Sequence, residues 1–360
     1  MKLTIEKPAL LNALTKTTSA LERRSTIPIL ANVLVNASDG LLELKGTDLD
    51  IEVTTKAAAT VSELGETTVN GAMLADIVKG APNGALIGME VTQKGMTVSF
   101  GRSRFKLATL DAEDFPSMQL PSETQSFTID APQLARLFGK TSFAMSTEET
   151  RYYLNGVYLH QTSEGITAVA TDGHKLAKVS APQHDDFPAV IVPRKTVLEV
   201  RKSMDTTPVD VSISQTSIVF RSGDTVIVSK VIDGSFPDYS RVIPSAHPFS
   251  VTMDATDAKG AAERVSKVTD DKTRGVALDI ADGAVTFRAR GGQGEGQSEV
   301  AADVDGDAMA IGFNSVYFAQ AMAQAGDGQV TVQYKSPGDP CLIRVSDDPD
   351  FLAVVMPMRL

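Results

Sequence analysis

The sequence predicts an α+β fold used three times over, with antiparallel sheets and two helices in each repeat. The first observation is an echo at a constant offset of 124 residues: Leu3-Thr4-Ile5-Glu6 becomes Phe127-Thr128-Ile129-Asp130, then Val251-Thr252-Met253-Asp254. The second is that each copy follows this segment with apolar residues at helical spacing and then with alternating runs separated by turn residues. Hairpin-linked strands interrupted by two helices read as α+β with antiparallel pairing. The period is far longer than the 20–50 residues of a solenoid and matches a small domain. The natural division is therefore 1–122, 123–245 and 246–360. One unit built three times points to a geometric task, such as a curve or ring.

Taken in order, each copy opens on a strand: Lys2 to Glu6, Ser126 to Asp130 and Ser250 to Asp254. A helix follows, marked by Leu10, Leu11, Leu14 and Leu21 in the first copy and by Leu134, Leu137, Phe138 and Met145 in the second. In the third copy Ala258, Ala261, Ala262 and Val265 mark it. Pro8 and Pro132 stand near helix starts, where a missing N–H is cheap. Strands then alternate around Ser38-Asp39-Gly40, Gly223-Asp224 and Ala281-Asp282-Gly283. A second helix is expected over Ala72 to Lys79, Arg194 to Met204 and Asn314 to Ala325. Thr47-Asp48 recurs as Thr171-Asp172, and Asp114-Phe115-Pro116 has its counterpart in Ser235-Phe236-Pro237.

Composition limits the function. A chain of 360 residues with 42% hydrophobic content can bury several cores. The N-terminus shows no signal-peptide pattern and no apolar run reaches the ~18 residues that span a bilayer, so a cytoplasmic protein without a membrane partner is expected. A single cysteine, Cys341, excludes an internal disulfide framework and reads as a small buried hydrophobe.

The net charge of −11 argues against a generally basic surface but leaves room for a local basic stripe. Lys16, Lys79, Arg136, Lys140, Arg194, Lys195, Arg201, Lys202, Arg264 and Lys267 fall on the predicted helices, with Arg23 and Arg24 just after the first. If the helices share one face of the sheet, these charges form a lining for a polyanion held by salt-sensitive, sequence-independent phosphate contacts. Equally, surface helices carry lysine and arginine for solubility. Asp185-Asp186, Asp303 to Asp307 and Asp347 to Asp350 hold much of the acidic excess.

Chemistry-bearing motifs are sparse. Asp172 and His174 place a carboxylate near an imidazole, which could serve a hydrolase, but no nucleophile motif accompanies them and no catalytic residue is assigned. Asp48 and Asp50 form a lone Asp-x-Asp, more often a strand-edge turn than a metal site, so no metal or cofactor is expected. Gly291-Gly292-Gln293-Gly294-Glu295-Gly296 lacks the Lys-Ser/Thr ending of a phosphate loop and reads as a hairpin tip. The C-terminus is apolar to its end, from Phe351 to Leu360, where chain ends are normally polar. It must pack as a final strand or line an apolar groove with adaptable methionines.

Several segments together carry a family resemblance. They are STIPIL at Ser25 to Leu30, GRSRF at Gly101 to Phe105, RYYLNG at Arg151 to Gly156 and ATDGHKLA at Ala170 to Ala177, with IVPRK at Ile191 to Lys195, FPDY at Phe236 to Tyr239 and the terminal VVMPMRL. In this order they resemble the bacterial DNA polymerase III β subunits, the replicative sliding clamps, over essentially the whole chain. The resemblance implies a head-to-tail homodimer, a ring of six similar domains with sheets outside and helices lining the hole. It further implies encirclement of double-stranded DNA without sequence preference and no catalysis.

By matching position it implies DNA contacts at Arg24, Tyr152, Tyr153, Arg194 and Lys195. The chain departs from the family pattern at Glu148 and Glu149, often neutral there, and at Ala72 and Met73, where some members carry a basic pair. A pocket for short hydrophobic peptides is implied at Leu154, Thr171, Gly173, His174, Lys175 and Leu176, joined by Pro237, Arg241, Val242, Val354, Met356 and Met358. Its implied users are replicative and translesion polymerases, the clamp loader and repair proteins. The implied dimer interface sets Arg102, Arg104, Phe105 and Leu107 against Val268, Glu295 and Glu299. A repeat-built scaffold that never touches nucleic acid is the remaining alternative.

Overall fold

The computed structural model describes residues 1–22, 26–204, 208–269, 274–281, 283–292 and 294–360. Arg23, Arg24, Ser25, Asp282 and Gln293, all drawn on above, lie outside the described residues. The chain divides into two compact units, one of residues 1–135 with 186–232 and the other of residues 136–185 with 233–360.

The first unit holds two antiparallel sheets. One runs in the order Thr60–Glu63, Lys2–Glu6, Leu86–Thr92, Gly95–Phe100, Ser103–Leu107. The other runs Thr109–Leu110, Gly65–Asn70, Asn32–Ser38, Leu41–Thr47, Ile51–Ala58, Thr225–Lys230, Ser217–Ser222, Val209–Ile213, Gln125–Ile129. Helices α1 (Lys7–Thr18) and α2 (Gly71–Lys79) pack on each other over a core that includes Leu10, Leu14, Val33, Leu44 and Leu74, all buried. Asn70 caps α2 by accepting a hydrogen bond from the Met73 N–H at 2.9 Å. The hairpin at Asp39 and Gly40 has φ of 41° and 81°, the paired left-handed geometry that matches strand twist. Helix α3 (Ala131–Thr141) contains the boundary between the units, and α4 (Arg194–Ser203) belongs to the first.

The second unit carries one long antiparallel sheet. Its order is Gly156–Thr162, Gly165–Thr171, Lys175–Ala181, Asp348–Val355, Cys341–Val345, Gln329–Tyr334, Phe249–Asp254, Gly294–Asp305, Ala284–Gly291, Gly275–Ala281, Met309–Asn314. Helices α5 (Ala255–Val265) and α6 (Ser315–Met322) pack together. Their first turns are capped by Asp254, through the Asp257 N–H, and by Asn314, through the Val316 and Tyr317 N–H groups. The apolar C-terminus is a strand as far as Val355, and its Phe351, Ala353 and Val355 are fully buried.

Several expected boundaries shift. Leu21 lies past the end of α1, and Met145 lies past α3 after a short 3-10 turn, Ser142–Ala144. Both are buried, so the apolar spacing reflected burial and not continued helix. The last helix stops at Met322, and Ala323–Ala325 tightens into a 3-10 turn. Met204 ends α4 in an extended conformation, its N–H bonded to Val200 O. Among the described residues no helix is long and apolar enough to cross a membrane.

Cys341 is fully buried, and burial, joined by the nearby Asp339 carboxylate, pushes its thiol up to about 12. The thiolate is the reactive form. Native protein at pH 8 should therefore resist alkylation by iodoacetamide, while the urea-unfolded chain should be modified at one site. Equal labelling of the native chain, read by mass spectrometry, would contradict this packing.

Candidate functional site

The segment Thr171 to Lys175 folds as a tight turn between two strands of the second unit, fastened by its own side chains. The Thr171 hydroxyl donates to Lys175 O at 2.8 Å and accepts from the Gly173 N–H at 3.1 Å. Asp172 Oδ1 accepts from the N–H groups of His174 and Lys175, each at 2.9 Å. Gly173 sits at φ 88°, a left-handed conformation glycine adopts without strain. Asp172 Oδ2 takes the Lys175 ammonium, which also lies over the Tyr317 ring of α6, 4.1 Å from its centroid.

The His174 ring stacks on the same Tyr317 at 6.1 Å and 20°. The carboxylate thus holds main chain and a lysine while the imidazole faces an aromatic ring. That arrangement is a folded turn and not an acid–base dyad.

The same turn occurs in the first unit. Thr47 donates to Ile51 O and accepts from the Leu49 N–H, while Asp48 Oδ1 accepts from the N–H groups of Asp50 and Ile51. Leu49 takes the left-handed position at φ 79°. Asp48 Oδ2 receives the Lys195 ammonium at 2.5 Å, and Asp50 pairs with Lys230 at 2.9 Å. Both carboxylates of the Asp-x-Asp are therefore matched to lysines and not set around a vacant cation position.

The turn in the second unit lies beside the C-terminus because Lys175–Ala181 pairs with Asp348–Val355. The register sets Lys175 opposite Val355 and Leu176 opposite Val354. The ladder continues as the Met356 N–H donates to His174 O at 2.9 Å, and the Met358 N–H donates to Gly312 O at 2.8 Å. Gly312 is required at that point: a Cβ there would lie 2.4 Å from Met358 O.

Leu176 and Val354 join Val169, Leu342 and Leu352 in one apolar cluster, covered by Phe236, Tyr239, Ile243 and Tyr158. The covering residues belong to a strap, the segment Asp233 to Ile243, and to the strand Gly156–Thr162. Pro237 lies between two of them, while Val242 and Met356 remain 49% and 39% exposed. Arg241 is exposed and pairs with Asp238 at 2.9 Å. Leu154 is buried at the end of the 3-10 run Glu149–Leu154, its carbonyl accepting from the Ser146 N–H. Turn, strap and tail thus surround the cluster.

Tyr158, His160, Tyr239, Ile243 and Tyr317 are not among the residues expected from sequence, yet they shape this region. A signal existed for two of them: Tyr158 and His160 are two apart on a strand and share a face.

The expected nucleic-acid residues fall in both units. Arg24 lies outside the described residues. Tyr152 and Tyr153 sit in the 3-10 run with rings edge to face at 5.8 Å, and Tyr152 is 54% exposed. Arg151, at a kink in this run, pairs with Glu148 at 3.5 Å. Arg194 opens α4, and the next residue, Lys195, bonds Asp48 and also Ala20 O at 2.8 Å.

Other helix cations are similarly engaged. Arg136 pairs with Asp348 and donates to Ser180 O at 2.8 Å, and Lys140 pairs with Asp348 at 3.2 Å and lies over the Phe351 ring. These two hold the second unit together, which revises the expectation of a freely exposed helical charge set. Close carboxylates in a partly desolvated setting have claimed them.

Two sheet margins carry the residues expected at a subunit interface. Ser103–Leu107 ends its sheet, bearing Arg104, a 37%-exposed Phe105 stacked on Phe100, and Leu107, with Arg102 in the preceding turn. In the second unit, Gly294–Asp305 pairs along one side with Ala284–Gly291. On the other side it pairs with Phe249–Asp254 only over 302–305. The 294–301 stretch holds exposed Glu295 and Glu299, and Val268 ends the 3-10 turn after α5. Gly291–Gly294 joins two antiparallel strands with no helix following, unlike a phosphate loop.

Comparison with known proteins gives a consistent answer. Residues 1–119, 128–238 and 240–359 match, in order, the models for the N-terminal, central and C-terminal domains of the DNA polymerase III beta subunit. The chain is 40% identical over 372 residues to the beta sliding clamp of Caulobacter vibrioides strain NA1000, covering all of both chains. It is 36% identical over 367 residues to that of Escherichia coli K12, again covering both completely. Among solved structures, a Caulobacter crescentus beta sliding clamp with polyethylene glycol bound to its putative beta-motif tethering region is similar at 39% identity. The TM-score is 0.92, covering 100% of this chain and 99% of that one. A sliding clamp from Bartonella birtlesii bound to griselimycin is similar with a TM-score of 0.94 and 36% identity over the whole of both chains.

Replacing Asp172 by Ala would strip two main-chain N–H groups of their acceptor and leave the Lys175 ammonium, 6% exposed, without a counter-charge. A loss of about 3 kcal/mol is expected, with Asp172→Asn intermediate because its amide oxygen still accepts. Chemical unfolding of the three proteins checks the ranking, and equal stability would contradict the turn described.

Proposed function

The chain belongs to the DNA polymerase III beta subunit family, and on that premise we propose how its parts share the work of a sliding clamp. It is a replicative DNA sliding clamp, a processivity factor and not an enzyme. Two copies close head to tail into a ring around duplex DNA in the cytoplasm, each contributing three repeats divided at 1–122, 123–245 and 246–360. A heterologous interface that closes after two copies yields a ring and not a filament. The margin at Arg102, Arg104, Phe105 and Leu107 meets Val268, Glu295 and Glu299 of the next copy, adding strand to strand and base to acid.

Encirclement makes tight binding unnecessary. Arg24, Tyr152, Tyr153, Arg194 and Lys195 touch the phosphate backbone, and salt-labile contacts of that kind permit sliding. Lys195 is tethered to Asp48, so a phosphate must compete for it. Ala72 and an exposed Met73 on α2, and Glu148 and Glu149 before the tyrosines, temper the attraction there.

Polymerases, replicative and translesion, the clamp loader and repair proteins dock through short hydrophobic peptides at the pocket of turn, strap and tail. The observation that carries this reading is the apolar cluster around Leu176 and Val354, flanked by exposed Val242 and Met356 where a protein surface is normally polar. His174 and Lys175 border it, with Leu154, Thr171, Gly173, Pro237, Arg241 and Met358 completing the set.

The ring is tested by loading the protein on nicked circular DNA and then linearising it. Linearisation should release the protein from the ends within the time over which circular DNA retains it. Equal retention would favour a scaffold that clings without encircling. Direct phosphate contact is tested separately: Arg194→Ala should lower the salt slope of DNA binding by about 0.9. Lys195→Ala should lower it by less, because Asp48 already shares that charge.

A further inference from the structure

We propose that His160 is the positioning residue for the strap wall of the peptide pocket, acting through Tyr239. The inference rests on the pocket reading above and concerns a residue that lies outside the pocket set. The strap that carries Pro237, Arg241 and Val242 is attached to the sheet at two points three residues apart. Phe236 lies flat on Tyr158, ring centroids 4.9 Å apart and 5° from parallel. Tyr239 meets His160 edge-on at 5.7 Å and 62°, with its hydroxyl 3.1 Å from His160 Nε2. Tyr158 and His160 stack on each other at 4.5 Å, so the four rings form one continuous pile, its two strap members standing on either side of Pro237 in sequence. Within the strap, Asp238 accepts from the Ser240 N–H and hydroxyl and from Arg241 Nε, which makes the segment from 238 to 241 a rigid turn. Fixing Tyr239 therefore fixes the turn that presents Arg241 and Val242.

The proton positions follow from the partners. Nδ1 of His160 faces Gln161 O at 3.2 Å, and a carbonyl can only accept, so Nδ1 carries the hydrogen. Nε2 is then a lone-pair acceptor, and the Tyr239 hydroxyl must donate to it. The surroundings hold this arrangement. Burial, together with the Lys178 ammonium two strands away in the sheet, lowers the His160 pKa, against an opposing contribution from the Gln161 carbonyl. Burial, with the Glu164 carboxylate nearby, pushes the Tyr239 phenol up to about 12. A neutral imidazole with one fixed tautomer and a phenol that always bears its proton form a latch with a single polarity. Phenylalanine at position 160 would keep the pile and remove only the acceptor.

The experiment uses the full chain and a fluorescent pentapeptide containing adjacent leucine and phenylalanine, with Val354→Asp to show that the probe uses the pocket. His160→Phe and Tyr239→Phe should each weaken probe binding about five-fold, the scale of one neutral hydrogen bond. The double variant should bind no more weakly than either single one. Imidazole 15N shifts of the wild type should show a protonated Nδ1 and an unprotonated Nε2. Single variants that bind like the wild type, losses that multiply in the double variant, or a protonated Nε2 would each overturn the positioning role while leaving the pocket standing. A wild type that binds the probe no better than Val354→Asp would overturn the pocket reading, and the positioning role with it.

Discussion

The pairing of Lys175–Ala181 with Asp348–Val355 is the constraint on which the site depends. These strands are far apart in sequence, and their register leaves no freedom about which residues meet: Leu176 faces Val354, and the ladder runs on until Met356 reaches His174 O. Because side chains alternate across a strand, a slip of one residue would turn Leu176 and Val354 to the opposite face and dissolve the apolar cluster. The turn closed by Asp172 prevents such a slip by fixing where the strand begins. Everything added afterwards, the strap over the cluster and the tail along Gly312, uses positions that this register creates.

The first unit shows what happens to the same design when side chains change. Its Ile51–Ala58 strand pairs with Thr225–Lys230, Glu52 facing Val228, and the Lys230 N–H donates to Asp50 O at 2.9 Å as Met356 does to His174. The backbone pairing is matched, but Glu52 stands where the second unit has Leu176, and Lys230 where it has Met356. The Glu52 carboxylate is buried, pairs with Lys45 at 3.3 Å, and accepts from the Met118 N–H in the segment following Phe115-Pro116. That segment corresponds to the strap of the second copy. Here it is bonded down over a buried charge where the second unit has an apolar side chain.

Much of this was legible in the sequence. The strand and helix openings repeat visibly because alternation and helical spacing are local properties, and the apolar tail from Phe351 announced a buried strand. What could not be read were the long-range pairings. Arg136 and Lys140 looked like surface charges because their partner, Asp348, lies some two hundred residues away. The fate of Asp172 was hidden for a different reason. Its side chain bonds its own turn, a geometry that Thr-Asp announces only once the turn at Thr47-Asp48 is recognised as the same structure. The aromatic pile was half visible, since Tyr158 and His160 share a strand face, but its other half sits in an irregular segment that has no period.

The buried Glu52 has a consequence for stoichiometry. A repeat protein could have kept one partner berth for every copy of its repeat; here charge fills the first, and the third copy has Gly291-Gly292 where the others have Thr-Asp. On the pocket reading proposed above, each chain is left with a single berth, and two copies closed into a ring would offer two, one on each half of the circle. On that reading, visitors to the same berth would have to take turns. Which protein works at a given moment becomes a question of how many copies of each are waiting and how quickly each departs.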